Sequence, residues 1–243
     1  MMNYIQPVAD LHTHTLYSMH AYSTIGENAA AAARQGLLAI AMTDHAPAIP
    51  EPSHRWHFTH MNLLPPHIAG VRVFRGIEAN VLDFDGRLDI DDGMIRNLDI
   101  VIASMHGGGI MKEGTKEEIT AAWMAVANDA RVDVIGHPGT PMFTFDYETV
   151  VRECARQGKI IEINENSFNA REGSLENCTR IAYYCKKYGV RVMLSSDAHF
   201  HEYVGKFDRS ILMLKELAFP IDLVINANRQ NLETYLKEKN LAL

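Results

Sequence analysis

The chain has 243 residues, 47% of them hydrophobic, and a formal charge of −7. That length suits one large domain spanning 1–243 and is short for two. The acidic balance without a basic tract weighs against general nucleic-acid binding, and apolar runs such as Leu37–Met42 and Asp99–Met105 are strand-sized, far short of a membrane span. The first residues lack a basic stretch followed by an apolar one. Cys154, Cys178 and Cys185 are odd in number and fall in predicted helices as reduced thiols. Together these features point to a cytoplasmic address with no disulfide framework.

Seven strand-like segments follow in order: Val8–His14, Leu37–His45, Val71–Val81, Asp99–Gly107, Val132–His137, Lys159–Asn166 and Val190–His199. Each is rich in branched aliphatic residues and ends in polar or small ones, as a buried strand leaving a core does. Helical patterns separate most of them. Thr24 with Glu27, and Thr115 with Glu118, are capping boxes, the first opening an alanine-rich helix that stops near Gly36. Tyr147–Gln157 and Leu175–Tyr188 read as helices stopped by Gly158 and Gly189, and Ile211–Leu217 and Gln230–Lys239 close the chain. The segment Ala46–Gly70 breaks the rhythm with five prolines and the stretch His54-Arg55-Trp56-His57 to His60. It reads as a long loop with one short helix over the top of the molecule, a candidate lid. The alternation predicts an α/β fold, a distorted, TIM-barrel-like seven-stranded (β/α)7 barrel whose C-terminal strand ends share one face.

That face gathers chemistry. The first strand carries Asp10-Leu-His12-Thr-His14, and alternation points His12 and His14 the same way, with Asp10 one step deeper on that face. His20 follows in the next loop. The second strand ends at Asp44-His45, the third near Glu78, the fourth at His106, the fifth at His137, and the last at Asp197-Ala-His199. Nine imidazoles and carboxylates at one rim are the standard signature of metal binding, and nine exceed the needs of one or two tetrahedral ions. Three divalent ions sharing a carboxylate fit the count. Against Glu78 and Asp197 they would leave about three net positive charges, even with a bound hydroxide, on an otherwise acidic protein. Such a pocket suits a small phosphorylated substrate, with a bridging water ionised by the ions as nucleophile. The imidazole-rich set favours zinc, while manganese or iron would tolerate the mixed ligands.

The ordered motifs Asp-Leu-His-Thr-His, Thr-Asp-His, Gly-Ile-Glu-Ala-Asn, Ser-Met-His, Gly-His-Pro and Ser-Asp-Ala-His resemble the polymerase and histidinol phosphatase (PHP) family. The likeness runs from Asp10 to about Gly205 and is greatest to small stand-alone bacterial members of the YcdX-like branch. The resemblance implies a metal-dependent phosphoesterase with a trinuclear site. One ion would be held by His12, His14, Glu78 and Asp197, a second by Glu78, His106 and His137, and a third by His20, His45 and His199. Asp197, Glu78 and His199 are then the expected catalytic residues, with Asp197 or a water on the third ion protonating the leaving oxygen.

Asp10 and Asp44 are expected to orient imidazoles by accepting their second ring proton. Asn164, Asn166 and Ser167 end the one strand without a ligand and could meet phosphate, as could Arg171 in the next loop. Glu165 departs from the small polar residue the family pattern has after Asn164. Gly107–Gly109 read as clearance beside the metals. Hydrolysis of small phosphomonoesters is the favoured activity. Histidinol phosphate as substrate and nuclease action on nucleic acid are the alternatives within the family. A non-enzymatic metal scaffold would not need the full ligand set, and an amidohydrolase would show a strand-end lysine and an eighth strand.

Overall fold

Seven parallel strands and one short antiparallel strand make up the sheet in the computed structural model, which describes residues 5–50 and 54–243. The strands are β1 (Ala9–Thr13), β2 (Ala39–Met42), β3 (His67–Ile68), β4 (Val71–Asn80), β5 (Ile100–Ser104), β6 (Val134–Ile135), β7 (Ile160–Asn164) and β8 (Val192–Ser195). Their order is β1-β2-β4-β5-β6-β7-β8, with β3 folded back antiparallel on β4. The helices are α1 (Ile25–Arg34), α2 (Arg55–Thr59), α3 (Asp92–Ile95), α4 (Lys116–Asn128), α5 (Tyr147–Gln157), α6 (Ser167–Ala170), α7 (Ser174–Tyr188), α8 (Asp208–Glu216) and α9 (Arg229–Glu238). The expected seven-stranded barrel is therefore present, nearly closed. The hairpin strand β3 was not foreseen, because two residues carry no periodicity.

Local chemistry sets the helix ends. Both capping boxes form, with Thr24 and Thr115 each accepting from the backbone of a glutamate that reaches back to the cap. Helices α5 and α7 stop at Gly158 and Gly189, whose φ values of 67° and 70° are left-handed and cost glycine least.

Strand alternation divides the core. Ala9, Leu11, Ala39, Ala41, Phe74, Ile100, Ile102, Val134, Ile160 and Met193 form one buried set, and Leu232, Tyr235 and Leu236 of α9 join it. Phe74 shares a strand face with Glu78, Ile160 with Glu162, and Met193 with Ser195, so this set fills the barrel beneath the polar rim. The larger set, including Ile40, Met42, Trp123, Val151 and Ile181, packs the helices against the outside of the strands.

The seam between β1 and β8 lacks a full ladder. At its top, Asp197 N–H donates to His12 O (3.0 Å) and His14 N–H donates to Ala198 O (2.9 Å). Lower down, Asn226 stands in for a missing strand. Its Nδ2 donates to Ala9 O (2.8 Å) and Leu194 O (2.7 Å), while its Oδ1 accepts from Leu194 N–H (3.1 Å). The seam thus fixes the two strands that carry His12 and Asp197.

Candidate metal centre

A bulge in β1 aims the first histidines. Ala9 pairs with Ala39 and Asp10 with Ile40, yet Thr13 pairs with Met42, so the register slips by one residue between Asp10 and Thr13. The extra residue switches faces. Ala9 and Leu11 point into the barrel below the slip, and His12 and His14 point inward above it. Asp10, expected on their face, lies instead with Ile40 on the outer side. Its carboxylate accepts from Ser196 N–H (3.1 Å), Ser196 Oγ and Gly205 N–H (2.9 Å), and from no imidazole. Burial pushes it up to about 6, against those hydrogen bonds. Asp10 therefore anchors the loop that carries Asp197.

Glu78 is fully buried at the centre of the rim. Its Oε1 lies 3.0 Å from His137 Nε2 and 3.4 Å from His106 Nε2. Its Oε2 lies 2.7 Å from His45 Nδ1, 3.4 Å from His12 Nε2 and 3.5 Å from His14 Nε2. Asp197 Oδ1 sits 3.0 Å from His14 Nε2 and 3.7 Å from His12 Nε2. Three overlapping groups bring their ligand atoms close enough for an ion, His12, His14 and Glu78; His45, Glu78 and His106; and His14, His45 and His199, with His14 and His45 each shared by two. His20 stands at the edge, its ring centroid 5.0 Å from that of His45 and 4.8 Å from that of His199. Two of these residues have left-handed backbones, His137 (φ 26°) and Asp197 (φ 53°). Strained geometry of that kind concentrates at functional sites.

The hydrogen-bond network fixes which ring nitrogens are bare. His12 Nδ1–H donates to Glu162 Oε1 at 2.6 Å. Ser18 Oγ donates to Asp44 Oδ1 (2.6 Å), so it accepts from His14 Nδ1–H (3.0 Å). Asn80 Nδ2 donates to Ala46 O and Asp89 Oδ2, which leaves its Oδ1 to accept from His106 Nδ1–H (2.8 Å). His199 Nδ1–H donates to Asp197 O (3.0 Å). Thr140 Oγ1 donates to His137 O (2.9 Å), so it accepts from His137 Nδ1–H (3.4 Å). In the neutral ring, every Nε2 so assigned carries a lone pair into the cluster.

Bare nitrogens then face one another, His12 Nε2 to His14 Nε2 at 3.1 Å and His137 Nε2 to His106 Nε2 at 3.2 Å. His45 Nδ1 and Glu78 Oε2, both buried, form no hydrogen bond despite their proximity. Opposed lone pairs around a buried carboxylate are costly unless cations lie among them. The residues present fit divalent ions.

Charge states agree for His14 and His20. Burial, then His199 and His45, hold His14 well below the ordinary imidazole range, and burial with the same two neighbours brings His20 to about 4. Both are neutral, as ligands must be. At His12 burial opposes charge, but Glu162, Glu78 and Asp197 outweigh it and hold the ring well above the ordinary imidazole range, a proton that a bound ion would displace. Burial opposes charge on Glu78 and Asp197, but the surrounding imidazoles, led by His12, outweigh it and hold both well below the usual carboxylate range.

Residues 10–166 match the PHP domain. This chain belongs to the PHP domain family. A probable phosphatase from Thermoanaerobacter sp. is 43% identical to it over 233 residues, covering 96% of this chain and 95% of the relative. One from Photobacterium profundum is 42% identical over 236 residues, covering 97% and 96%. The zinc-, histidinol- and phosphate-bound histidinol phosphate phosphatase of Lactococcus lactis shares the fold, with a TM-score of 0.65 at 18% identity over 88% of this chain and 95% of that one. A chain of archaeal ribonuclease P also shares it, with a TM-score of 0.54 at 12% identity over 95% and 90%.

The PHP site holds residues that reading the sequence missed. Glu162 on β7, the strand taken as ligand-free, accepts from His12 Nδ1–H, His137 N–H (2.6 Å), Ser195 Oγ (2.6 Å) and Asn164 Nδ2 (3.3 Å). A carboxylate amid Ile160, Ile161 and Ile163, two positions before Asn164, was the available signal. Asn80 was equally legible, two residues after Glu78 on the same face. Asp44 takes its ring proton from His57 (Nε2 to Oδ2, 3.0 Å) and reaches a rim histidine only through Ser18. Burial opposes its charge, but the hydrogen bond from His57 and the charge of that ring, ahead of its other neighbours, hold it well below the usual carboxylate range.

The expected phosphate contacts divide. Asn164 donates to Asp197 Oδ2 (3.1 Å) and accepts from Ser167, while Arg171 Nη1 donates to Ser167 Oγ (2.7 Å). Those three brace Asp197. Asn166 alone lines open space, a cavity of about 540 Å³ beside Asp197 and His199. Glu165 is accounted for, since its carboxylate accepts from Arg209 N–H (3.0 Å) and Ser210 N–H (2.8 Å) at the start of α8. The glycines do not give clearance beside the metals: a Cβ at Gly107 would meet Met142 Sδ at 2.9 Å instead. A side chain at Gly108 or Gly109 would meet nothing, and their φ values of 69° and 96° show that the turn needs left-handed residues. Residues 51–53 of the candidate lid lie outside the described residues, and α2 with the short 3₁₀ turn Met61–Leu63 fills part of the rest. Among the described residues, no helix is long and apolar enough to cross a membrane.

Proposed function

We propose that this PHP chain hydrolyses small phosphomonoesters with three divalent ions at the rim. Its relatives over nearly the whole chain are named probable phosphatases, and the chain is accordingly a metal-dependent hydrolase of phosphoric esters. The observation that supports the finer reading is the buried Glu78 carboxylate, with His137 and His106 at one oxygen and His45, His12 and His14 at the other, and ring nitrogens opposed at 3.1 and 3.2 Å. His12, His14, Glu78 and Asp197 would hold one ion, Glu78, His106 and His137 the second, and His20, His45 and His199 the third. The imidazole-rich set suits zinc best, with manganese or iron as substitutes. When bound, such ions supply Lewis-acid polarisation of phosphoryl oxygens and a water of lowered pKa.

The chain's own groups do the rest. Glu78 offers an oxygen to each side of the rim and so sets the spacing of whatever binds there. Glu162, Ser18 and Asn80 hold the protons of His12, His14 and His106 away from the site, keeping each Nε2 as an acceptor. Asp197 and His199 form the wall shared with the 540 Å³ cavity and stand where a leaving oxygen would emerge. His199, a quarter exposed, opens that position to solvent, so a proton for the oxygen would come from Asp197 or from water at the rim.

The test is release of inorganic phosphate by metal-replete protein, before and after chelation, from small aryl and alkyl phosphates, histidinol phosphate and a single-stranded oligonucleotide. Chelator-sensitive turnover of the small esters is expected. Inertness towards every phosphomonoester, or turnover of the oligonucleotide alone, would overturn the reading.

A further inference from the structure

We infer that the cavity of about 540 Å³ beside Asp197 and His199 receives the leaving group and selects phosphomonoesters of planar aromatic alcohols, with Tyr203 as a specificity-determining residue. This rests on the phosphatase reading above. Asp197 and His199 belong both to the ion cluster and to this cavity's wall, so a group attached to a phosphoryl centre at the rim projects into it. The smaller cavity of about 360 Å³ over His20, His45 and His106 adds only aliphatic side chains to those ligands. It has room for a phosphoryl group and little with which to recognise anything else.

The larger cavity is built differently. Tyr22, Phe200 and Tyr203 line it, and the two tyrosines are 71% and 59% exposed. Large aromatic side chains left open beside a reaction centre are poised to bury their faces on a ligand. Their positions are tied to the site. Tyr22 N–H donates to His199 O (2.7 Å), and Tyr203 N–H donates to Phe200 O (2.9 Å) in the turn that follows. Among the described residues, the Asn166 amide and both tyrosine hydroxyls have no hydrogen-bond partner, so the polar edge of a ring can be met as well.

Charge points the same way. Lys206, whose Nζ lies 5.2 Å over one face of the Tyr203 ring, offsets one of the lining carboxylates Asp208 and Glu165, the latter also accepting from N–H groups at the start of α8. The wall therefore offers ring faces and hydrogen-bonding groups with a slight negative balance, which disfavours an anionic leaving group. Its volume lies within the range of small-molecule sites and holds a one- or two-ring group.

The experiment compares benzyl phosphate with propyl phosphate, which share an alkoxide leaving group and differ in the ring. It uses the metal-replete wild type, Tyr203→Ala, Tyr203→Phe and Tyr22→Ala, with calorimetry of phenylphosphonate against methylphosphonate as a readout without turnover. Wild type should bind the aryl compound of each pair more tightly, by roughly tenfold as one aromatic stack provides. Tyr203→Ala should raise KM for benzyl phosphate by about that factor, leave kcat and propyl phosphate nearly unchanged, and be rescued by Tyr203→Phe. Tyr22→Ala should weaken the aryl preference in the same direction. Hydrolysis without aryl preference, or equal effects of Tyr203→Ala on both esters, overturns this inference alone. No hydrolysis of either ester overturns the phosphatase reading and this inference with it.

Discussion

Replacing Glu162 by Gln probes the least visible part of the site. The change keeps the volume and removes one charge and one acceptor. In the wild type, Oε1 accepts from His12 Nδ1–H and Ser195 Oγ, and Oε2 accepts from His137 N–H and Asn164 Nδ2. An amide can serve one of those pairs with its oxygen, but its NH2 end then faces two donors. If that end faces His12, the ring must give up its Nδ1 proton or rotate, and its Nε2 ceases to be an acceptor held in place. If it faces His137, the backbone N–H beside a left-handed residue loses a 2.6 Å partner. Loss of such an orienting group weakens metal affinity or activity by about 10–100-fold, equivalent to about 1.4–2.8 kcal/mol. The assay is a competition titration with a chromogenic zinc chelator, run beside kcat/KM on an aryl phosphate. Circular dichroism should be unchanged. Full metal affinity and full activity in Glu162→Gln would refute the claim that Glu162 sets the His12 ring.

Other outcomes follow from the same contacts. His12→Ala removes a ligand and little core volume, so activity should fall by orders of magnitude while the urea unfolding transition stays cooperative; retained activity would show the residue misread. Asn226→Leu leaves Ala9 O, Leu194 O and Leu194 N–H without their seam partner. A loss of about 3 kcal/mol or more is expected, read as a lower urea midpoint at unchanged slope. Burial pushes the Cys154 and Cys178 thiols up to about 12 and Cys185 well above its usual value. A raised pKa favours the unreactive protonated form, so at pH 8 a thiol-specific disulfide reagent should label the protein only after denaturation.

Much of this was legible in the sequence because it rests on local rules. Branched aliphatic runs ending in polar residues located all seven barrel strands to within a few positions, and two capping boxes formed as spelled. The histidines and carboxylates at strand ends also gather at one rim, since parallel strands deliver their C-terminal ends to one face. Asp10 shows where the reasoning stopped. Simple alternation placed it beside His12, and a one-residue bulge, which the sequence does not mark, turned it outward. Glu162 shows a different limit. Attention to strand ends passed over a carboxylate in mid-strand, although a charge between isoleucines has no place in a barrel unless it binds something. The closure by Asn226 was invisible for a third reason, because it joins positions 217 residues apart in sequence through a single side chain.

The central claim is that the rim holds several ions at once. The most direct measurement is the metal content of protein purified without chelator, by elemental analysis together with native mass spectrometry. About three divalent ions per chain, zinc foremost, are predicted, with occupancy reduced by His12→Ala. One ion or none per chain, under conditions that supply zinc and manganese in excess, would contradict the account.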